Sequence, residues 1–283
     1  MLIDMYNFRA RQNPVTIALA PAIVAALVAV PELQNAWGFL GGVVAALGLP
    51  YGFAQAAGNA GKRLEDGLYE SWGGKPSTAM LRHRDSRINE LTKKTYADLL
   101  RQVGIPMPTP EDEARDPVGA DKAYEAAGDW LRRETRDPKA YPRVKTELTN
   151  YGLARNLLGL RPVGLLIAVA SVLVQVALIA TATTQGAAVA EKLVLSLVFS
   201  TAMIGFWLWI VGPAWARRTA DAYAIALLEA CERRRAPSAA QKKVPAAKKP
   251  GGRKTSATTP SVDDAPAPQP AVADGPAQGG GAQ

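Results

Sequence analysis

Two long apolar runs dominate the hydrophobic pattern of this chain, at residues 162–184 and 193–215. A helix rises about 1.5 Å per residue, so each run can form a helix of roughly 35 Å, longer than a hydrocarbon core of about 30 Å. The only charges between them are Glu191 and Lys192. Because backbone groups in lipid need internal partners, the pattern predicts a transmembrane helical hairpin. A hairpin buried in a large soluble protein is the alternative.

Two further apolar runs lie near the N-terminus, at residues 14–31 and 36–58, with Glu32 in the short connection. They predict a first transmembrane hairpin within residues 1–61. The first run also fits a secretory signal, although no clear cleavage site accompanies it. Pro50 is expected to kink the second run, because proline removes a helix hydrogen bond.

Basic residues flank the four predicted spans at one end of each. These flanks are Arg9 and Arg11, Lys62 and Arg63, Arg155 and Arg161, and Arg217 and Arg218. The positive-inside rule then predicts that the N-terminus, the middle segment and the C-terminus are all cytoplasmic. We therefore predict a multi-pass protein of the bacterial inner membrane.

The middle segment, residues 62–161, has the three- and four-residue apolar spacing of helices and no alternating strand pattern. One predicted helical face consists of Ile88, Leu91, Thr95, Leu99 and Val103. A second helix is expected after Asp116-Pro117, and a third from about Tyr141 toward the third span. The predicted fold class is all-α, a four-helix transmembrane protein of two hairpins with a cytoplasmic helical insert between spans two and three.

The chain after the fourth span divides at about residue 235. Residues 216–235 predict a juxtamembrane helix, and its apolar side, with Leu227, Leu228 and Cys231, is a candidate for pairing with further copies. Residues 236–283 are rich in Ala, Pro, Gly and Lys and poor in large apolar residues. This composition predicts a disordered basic tail.

Charge and residue counts narrow the function classes. The net charge is +8, and its surplus falls in residues 62–161 and 216–283, where anionic lipid or nucleic acid would meet it. The single cysteine, Cys231, excludes an intrachain disulfide, and the single histidine, His83, disfavours a histidine metal site or triad. The spans contain no ionisable side chain. We predict no enzyme activity, metal or cofactor.

Residues 75–94 hold the densest group of basic side chains outside the tail. Such side chains can bind phosphate oxygens, so we predict an anion or oligonucleotide site. Its candidate residues are Lys75, Arg82, His83, Arg84, Arg87, Lys93 and Lys94. A charged surface that faces lipid headgroups explains the pattern equally. Residues 73–78 do not fit a phosphate-binding loop, because Trp72 replaces the first glycine and Pro76 follows the lysine.

Weakly polar side chains mark the second predicted hairpin. Ser171 and Gln175 lie on span three, and Ser196 and Ser200 lie one turn apart on span four. Such residues can line a pore in an oligomer or form a close helix contact, and Gln175 needs a partner either way. These four are the candidate pore-lining residues.

Four short segments carry a resemblance to a known family: residues 70–78 (ESWGGKPST), 81–86 (LRHRDS), 150–152 (NYG) and 155–159 (RNLLG). They resemble segments of four-span bacterial membrane effectors of anti-phage defence, most closely the channel effector of the Hailong system. The resemblance covers residues 1–235 and supplies no catalytic motif. It implies a tetrameric ion channel, and a nucleotidyltransferase partner whose single-stranded DNA oligomers bind the channel and hold it shut.

These observations and the resemblance predict an oligomeric, ligand-gated pore that depolarises the inner membrane as an abortive-infection effector. The predicted partners are the lipid bilayer, further copies of the chain, and a DNA oligomer made by a nucleotidyltransferase. The alternative is a non-conducting membrane anchor or scaffold that recruits a cytoplasmic partner. Both predictions depend on the four spans and on the cytoplasmic placement of the middle segment and of both termini.

Overall fold

The fold is described here from a computed structural model, for residues 7–30 and 36–235. This part of the chain is all-helical and contains no strand, which confirms the predicted all-α class. The predicted tail, 236–283, and the connection with Glu32 lie outside the described residues. The helices are α1 (Asn13–Ala29), α2 (Ala36–Ser71), α3 (Pro76–Ala79), α4 (Glu90–Gln102), α5 (Pro110–Arg115), α6 (Pro117–Glu134), α7 (Pro142–Thr184), α8 (Glu191–Gly205) and α9 (Pro213–Arg235), with π-helical turns at Asn7–Gln12 and Phe206–Ile210.

Three helical stretches of the described chain are long and apolar enough to cross a membrane: Phe8–Ala29, Pro142–Thr184 and Glu191–Ile210. They support a membrane protein with transmembrane helices. The run predicted as the second span forms the first part of α2, which continues as a helix through Pro50. The side chains at 36–40 and 43–47 lie outside the described residues.

Helix α7 joins the middle segment to the third apolar run without a break. It has 43 residues, so it is roughly 65 Å long. Pro142 begins it at a position where the missing N–H costs nothing, and Pro162 lies inside it. The predicted third helix of the middle segment and the third apolar run are therefore one rigid element.

The fourth apolar run is not a single helix over 193–215. Regular α-helix ends at Gly205, a π-helical turn follows to Ile210, and Val211 is extended. Pro213 then begins α9. Proline has no N–H to donate and disfavours helical backbone at the residue before it, which explains the break at Gly212. The helix that covers the fourth apolar run therefore ends at Ile210, before the predicted end of the span at residue 215.

The middle segment folds around a core to which α9 contributes. Leu100 of α4, Tyr124 and Leu131 of α6, and Leu227 and Leu228 of α9 are all buried in this core. The apolar side of α9 therefore packs against its own chain, which leaves it unavailable for the predicted pairing with copies. Cys231 lies in the same core, where burial raises the pKa of its thiol to about 12.

The inward face of helix α4 matches the predicted one only in part, since Ile88 and Leu99 pack against the core. Its buried residues are Lys93, Tyr96, Ala97 and Leu100, whereas Leu91 is exposed. The difference follows from Lys93, whose ammonium group is bound by backbone carbonyls of the preceding loop. The prediction counted apolar residues alone and missed a buried lysine.

Candidate functional site

The predicted basic site at residues 75–94 spans α3, the loop that follows it and the first turn of α4, and α5 and α6 supply carboxylates to it. The Arg82 guanidinium donates to both oxygens of Asp121, at 2.8 and 2.9 Å, and to the Gly73 carbonyl oxygen at 2.6 Å. Arg84 Nη1 donates to Glu113 Oε1 at 2.9 Å. Both arginines are therefore already bound to carboxylates.

Lys93 acts as a structural cation inside this loop. It is 2% exposed, and its ammonium group donates to the Arg82 carbonyl oxygen and to Glu90 Oε1, each at 2.8 Å. It also donates to the Asp85 carbonyl oxygen. A buried lysine with these partners holds the loop in shape and leaves no donor open to a ligand from solvent.

The remaining four candidates differ in how many ion pairs and hydrogen bonds their side chains already make. Arg87 pairs with Asp85 at 2.7 Å and with Asp221 of α9 at 3.0 Å, and Lys75 pairs with Glu125. His83 Nε2 lies 3.3 Å from the Pro108 carbonyl oxygen, and its Nδ1 lies 3.4 Å from Glu90. Lys94 is exposed and makes no ion pair within the described chain.

The electrostatics of the loop agree with this internal pairing. Burial alone would raise the pKa of the Glu113 carboxyl group. Hydrogen bonds from Tyr124 and from the backbone at His83 and Arg84, together with the Arg84 charge, hold that pKa below its ordinary value. The carboxylate therefore stays ionised beside the arginines, and any phosphate must compete with it.

The four candidate pore residues meet between α7 and α8 of one chain. Gln175 Nε2 donates to Ser196 Oγ at 2.7 Å and to Ser200 Oγ at 3.1 Å. Ser171 Oγ donates to the Ile167 carbonyl oxygen one turn earlier. All four side chains are buried, and Gln175 Oε1 has no hydrogen-bond partner within the described chain. This arrangement is the close helix contact that the sequence left open as the alternative to a pore lining.

A second polar cluster, which the sequence analysis did not single out, lies where α2 crosses α7. Glu65 Oε1 accepts hydrogen bonds from Tyr69 at 2.8 Å, Arg155 at 2.9 Å and Tyr151 at 3.0 Å. Asn156 Nδ2 donates to the Ala10 carbonyl oxygen at 2.6 Å. We call Glu65, Tyr69, Tyr151, Arg155 and Asn156 the junction cluster, because it ties three parts of the chain together.

Glycines allow the two helices to approach at this crossing. A Cβ atom on Gly159 would lie 2.5 Å from the Gly61 backbone nitrogen, closer than real Cβ contacts come. The absent side chains let the α2 and α7 backbones touch one turn from the buried Arg155 and Asn156. The sequence shows that residues 61 and 159 are glycines, but it does not show that the two lie against each other. The sequence signal for the cluster was two polar residues, Arg155 and Asn156, inside an otherwise apolar stretch.

Burial and hydrogen bonding set the ionisation of the junction cluster. Burial opposes ionisation of Glu65, but the Arg155 charge and the hydrogen bonds from Tyr69, Arg155 and Tyr151 lower its pKa below the ordinary value. Burial raises the pKa of both tyrosines, so they stay protonated and donate. Among the described residues, no group of three or more histidine, cysteine or carboxylate side chains could hold a metal ion.

The fold and these clusters define an all-helical protein that has three helices long and apolar enough to cross a membrane. No protein family, curated protein or solved structure matches the chain. The resemblance to anti-phage effectors therefore stays a prediction from the segments quoted above.

Proposed function

We propose that this protein is an oligomeric membrane pore that serves as an effector in bacterial anti-phage defence. An anionic nucleotide or single-stranded DNA oligomer, bound to the helical part outside the membrane, controls the pore. The observation that carries the proposal is the unbroken helix α7. Its first half packs in the middle segment and its second half is one of the apolar stretches, so a movement of one displaces the other.

The contacts at the junction cluster support the proposed cytoplasmic location of both the N-terminus and the middle segment. Asn156 bonds to Ala10, and Gly61 contacts Gly159. These contacts bring the basic flanks of the first three apolar runs to one level along the helix axes. Arg161 Nη2 donates to the Leu208 carbonyl oxygen at 3.1 Å, which adds the fourth run to that level. Basic flanks at one level fit a single cytoplasmic face.

A non-conducting scaffold is the second candidate, and the buried cluster at Gln175 favours it. Ser196 and Ser200 are occupied by Gln175 of the same chain, so they do not face a channel between copies. The apolar helices would then anchor the middle segment at the membrane. A conducting oligomer would need a pore lined by other side chains.

Ion flux through liposomes separates these two functions. We expect the purified full chain to carry ions across liposome membranes, with empty liposomes as the control. We also expect a single-stranded oligodeoxynucleotide on the side of the middle segment to change the flux. Absence of flux with and without the oligonucleotide would reject the pore and leave the scaffold.

A further inference from the structure

A cavity of about 370 Å³ adjoins the junction cluster and brings together α2, α6, α7 and α9. Its volume falls in the range that small-molecule sites occupy. The lining side chains that bear on its chemistry are three tyrosines and three cations: Tyr69, Tyr151, Tyr223, Lys75, Arg132 and Arg155. Of the residues predicted to bind an anion, only Lys75 reaches it.

On the aromatic side of the cavity the Tyr69 and Tyr223 rings are half-buried, whereas Tyr151 is only 5% exposed. The rings of Tyr151 and Tyr223 are parallel to within 5°, with centroids 6.4 Å apart. The Arg155 guanidinium lies over the Tyr151 ring, 5.6 Å from its centroid. Tyrosine rings and arginine planes are the surfaces on which nucleic-acid bases stack, with little preference for sequence.

On the cationic side of the cavity, Lys75 and Arg132 are held only by partly exposed ion pairs. Lys75 pairs with Glu125 and Arg132 pairs with Asp129, and the two basic side chains are 40% and 33% exposed. Exposed ion pairs contribute about 0–1 kcal/mol, so either cation can turn to a phosphate at small cost. Arg155 remains bound to Glu65. The lining itself holds two carboxylates, Glu65 and Asp66.

The basic loop at residues 82–93 is a less suitable phosphate site than this cavity. Arg82 contacts both oxygens of Asp121, and Arg84 pairs with Glu113, whose side chain is almost fully buried. A phosphate would have to break these bonds and leave buried carboxylates unpaired. In the cavity, a phosphate would displace only Glu125 and Asp129, which are already partly exposed to water.

We propose that this cavity binds the base and phosphate of a nucleotide, either free or within a single-stranded oligonucleotide. The base stacks on the half-buried Tyr223 ring, and Lys75 and Arg132 bind the phosphate. This inference rests on the proposed function, for which it names the ligand site. The ligand then contacts α2, α7 and α9 close to the point where the first two enter the apolar region, so its binding energy acts directly on those helices.

Equilibrium binding to the purified full chain tests the site. The probes are a short oligodeoxyadenylate, dAMP, deoxyadenosine and inorganic phosphate. We expect the double variant Lys75→Gln, Arg132→Gln to weaken oligodeoxyadenylate and dAMP binding at least about tenfold, because two charge-assisted contacts are lost. Tyr223→Leu should weaken binding about tenfold through lost stacking.

A matched control carries the same charge change outside the cavity. Lys139→Gln with Arg133→Gln removes two exposed cations, and we expect affinity to fall less than about threefold. Circular dichroism spectra of all variants should match that of the natural chain. A variant whose spectrum differs is replaced by Lys75→Gln or Arg132→Gln alone, with an expected loss of about threefold each.

Three results would overturn the site. An equal loss in the control and cavity variants would mean attraction by overall charge, and deoxyadenosine binding as tight as dAMP binding would remove the phosphate contact. Absence of binding by oligodeoxyadenylate and dAMP to the natural chain would reject the ligand class. Ion flux without oligonucleotide is measured separately, so a pore that conducts but fails these binding tests keeps the proposed function and loses only this site.

Discussion

The two halves of α7 differ in which side chains they bury and which they expose. In the first half Arg155 and Asn156 are only 9% and 1% exposed, although one is charged and both are polar. In the second half Leu166 and Leu173 are 68% and 64% exposed. In water, the polar side chains of the first half would tend to be exposed and the leucines of the second half would tend to be buried.

This contrast indicates that the two halves lie in different surroundings. The exposed leucines of the second half fit a hydrocarbon environment, in which an outward apolar side chain costs nothing. The buried polar groups of the first half are stable because each finds a partner within the junction cluster. The buried polar side chains of the first half therefore mark contacts inside the chain, and the exposed leucines of the second half mark contact with the outside.

Removing Arg155 should damage the first half most. Arg155→Met leaves Glu65 without its counter-charge and removes a donor to Asn156, so we expect a loss of about 3 kcal/mol in stability. The control is Arg115→Met, whose pair with Asp112 is exposed and should contribute about 0–1 kcal/mol. Thermal unfolding in detergent micelles, followed by circular dichroism, measures both. Equal losses would mean that burial does not distinguish the two pairs.

A methyl group at the crossing of α2 and α7 should rank next. Gly159→Ala places a Cβ against the Gly61 backbone, which cannot move aside as a side chain can, and we expect a loss of about 2 kcal/mol. Gly67→Ala, on α2 where nothing lies within 4 Å of the added atom, should be neutral or stabilising. Resistance to protease digestion compares the two variants. A stable Gly159→Ala protein would contradict the close approach of the helices.

The sequence was enough to predict the helical class, because apolar spacing reports helices directly. The apolar stretches at the first, third and fourth runs and the helix after Asp116 followed from apolar length and from a cap whose Asp116 side chain accepts from the Gly119 N–H. The apolar pattern of the fourth run did not reveal that its helix ends at Ile210, because it hid the effect of Pro213 on the residue before it.

Side-chain pairing was beyond sequence reasoning, because it depends on residues distant along the chain. The dense basic segment suggested free cations, yet Asp121 and Asp221 lie 39 and 134 residues from the arginines that they bind. The junction cluster joins Glu65 to Arg155 across 90 residues. Spacing identifies the charge, whereas only the fold identifies its partner.

Acid should weaken the first half of α7 and leave the second unaffected. Since the pKa of Glu65 is lowered in the folded state, its stabilising effect is present above the ordinary value of 4.5 and is lost as the pH falls through the folded pKa. The variant Glu65→Gln should therefore lose less stability than the natural chain between about pH 5 and pH 3. Denaturation midpoints at several pH values measure this difference. Parallel pH curves would show that Glu65 does not report the cluster.

The smallest effect is expected at Gln175, in the half of α7 where a buried polar group is the exception. Gln175→Leu removes two hydrogen bonds to serines, which are worth about 0.6 kcal/mol each in a membrane, but it also removes the unpartnered Oε1 atom. We therefore expect a change in stability below about 1 kcal/mol, and an ion flux in liposomes equal to that of the natural chain. Thr181→Val, which changes an exposed polar group on the same helix, is the control. A flux altered by Gln175→Leu alone would mean that this side chain faces the conducting path, and the assignment of Gln175 to a contact inside the chain would be wrong.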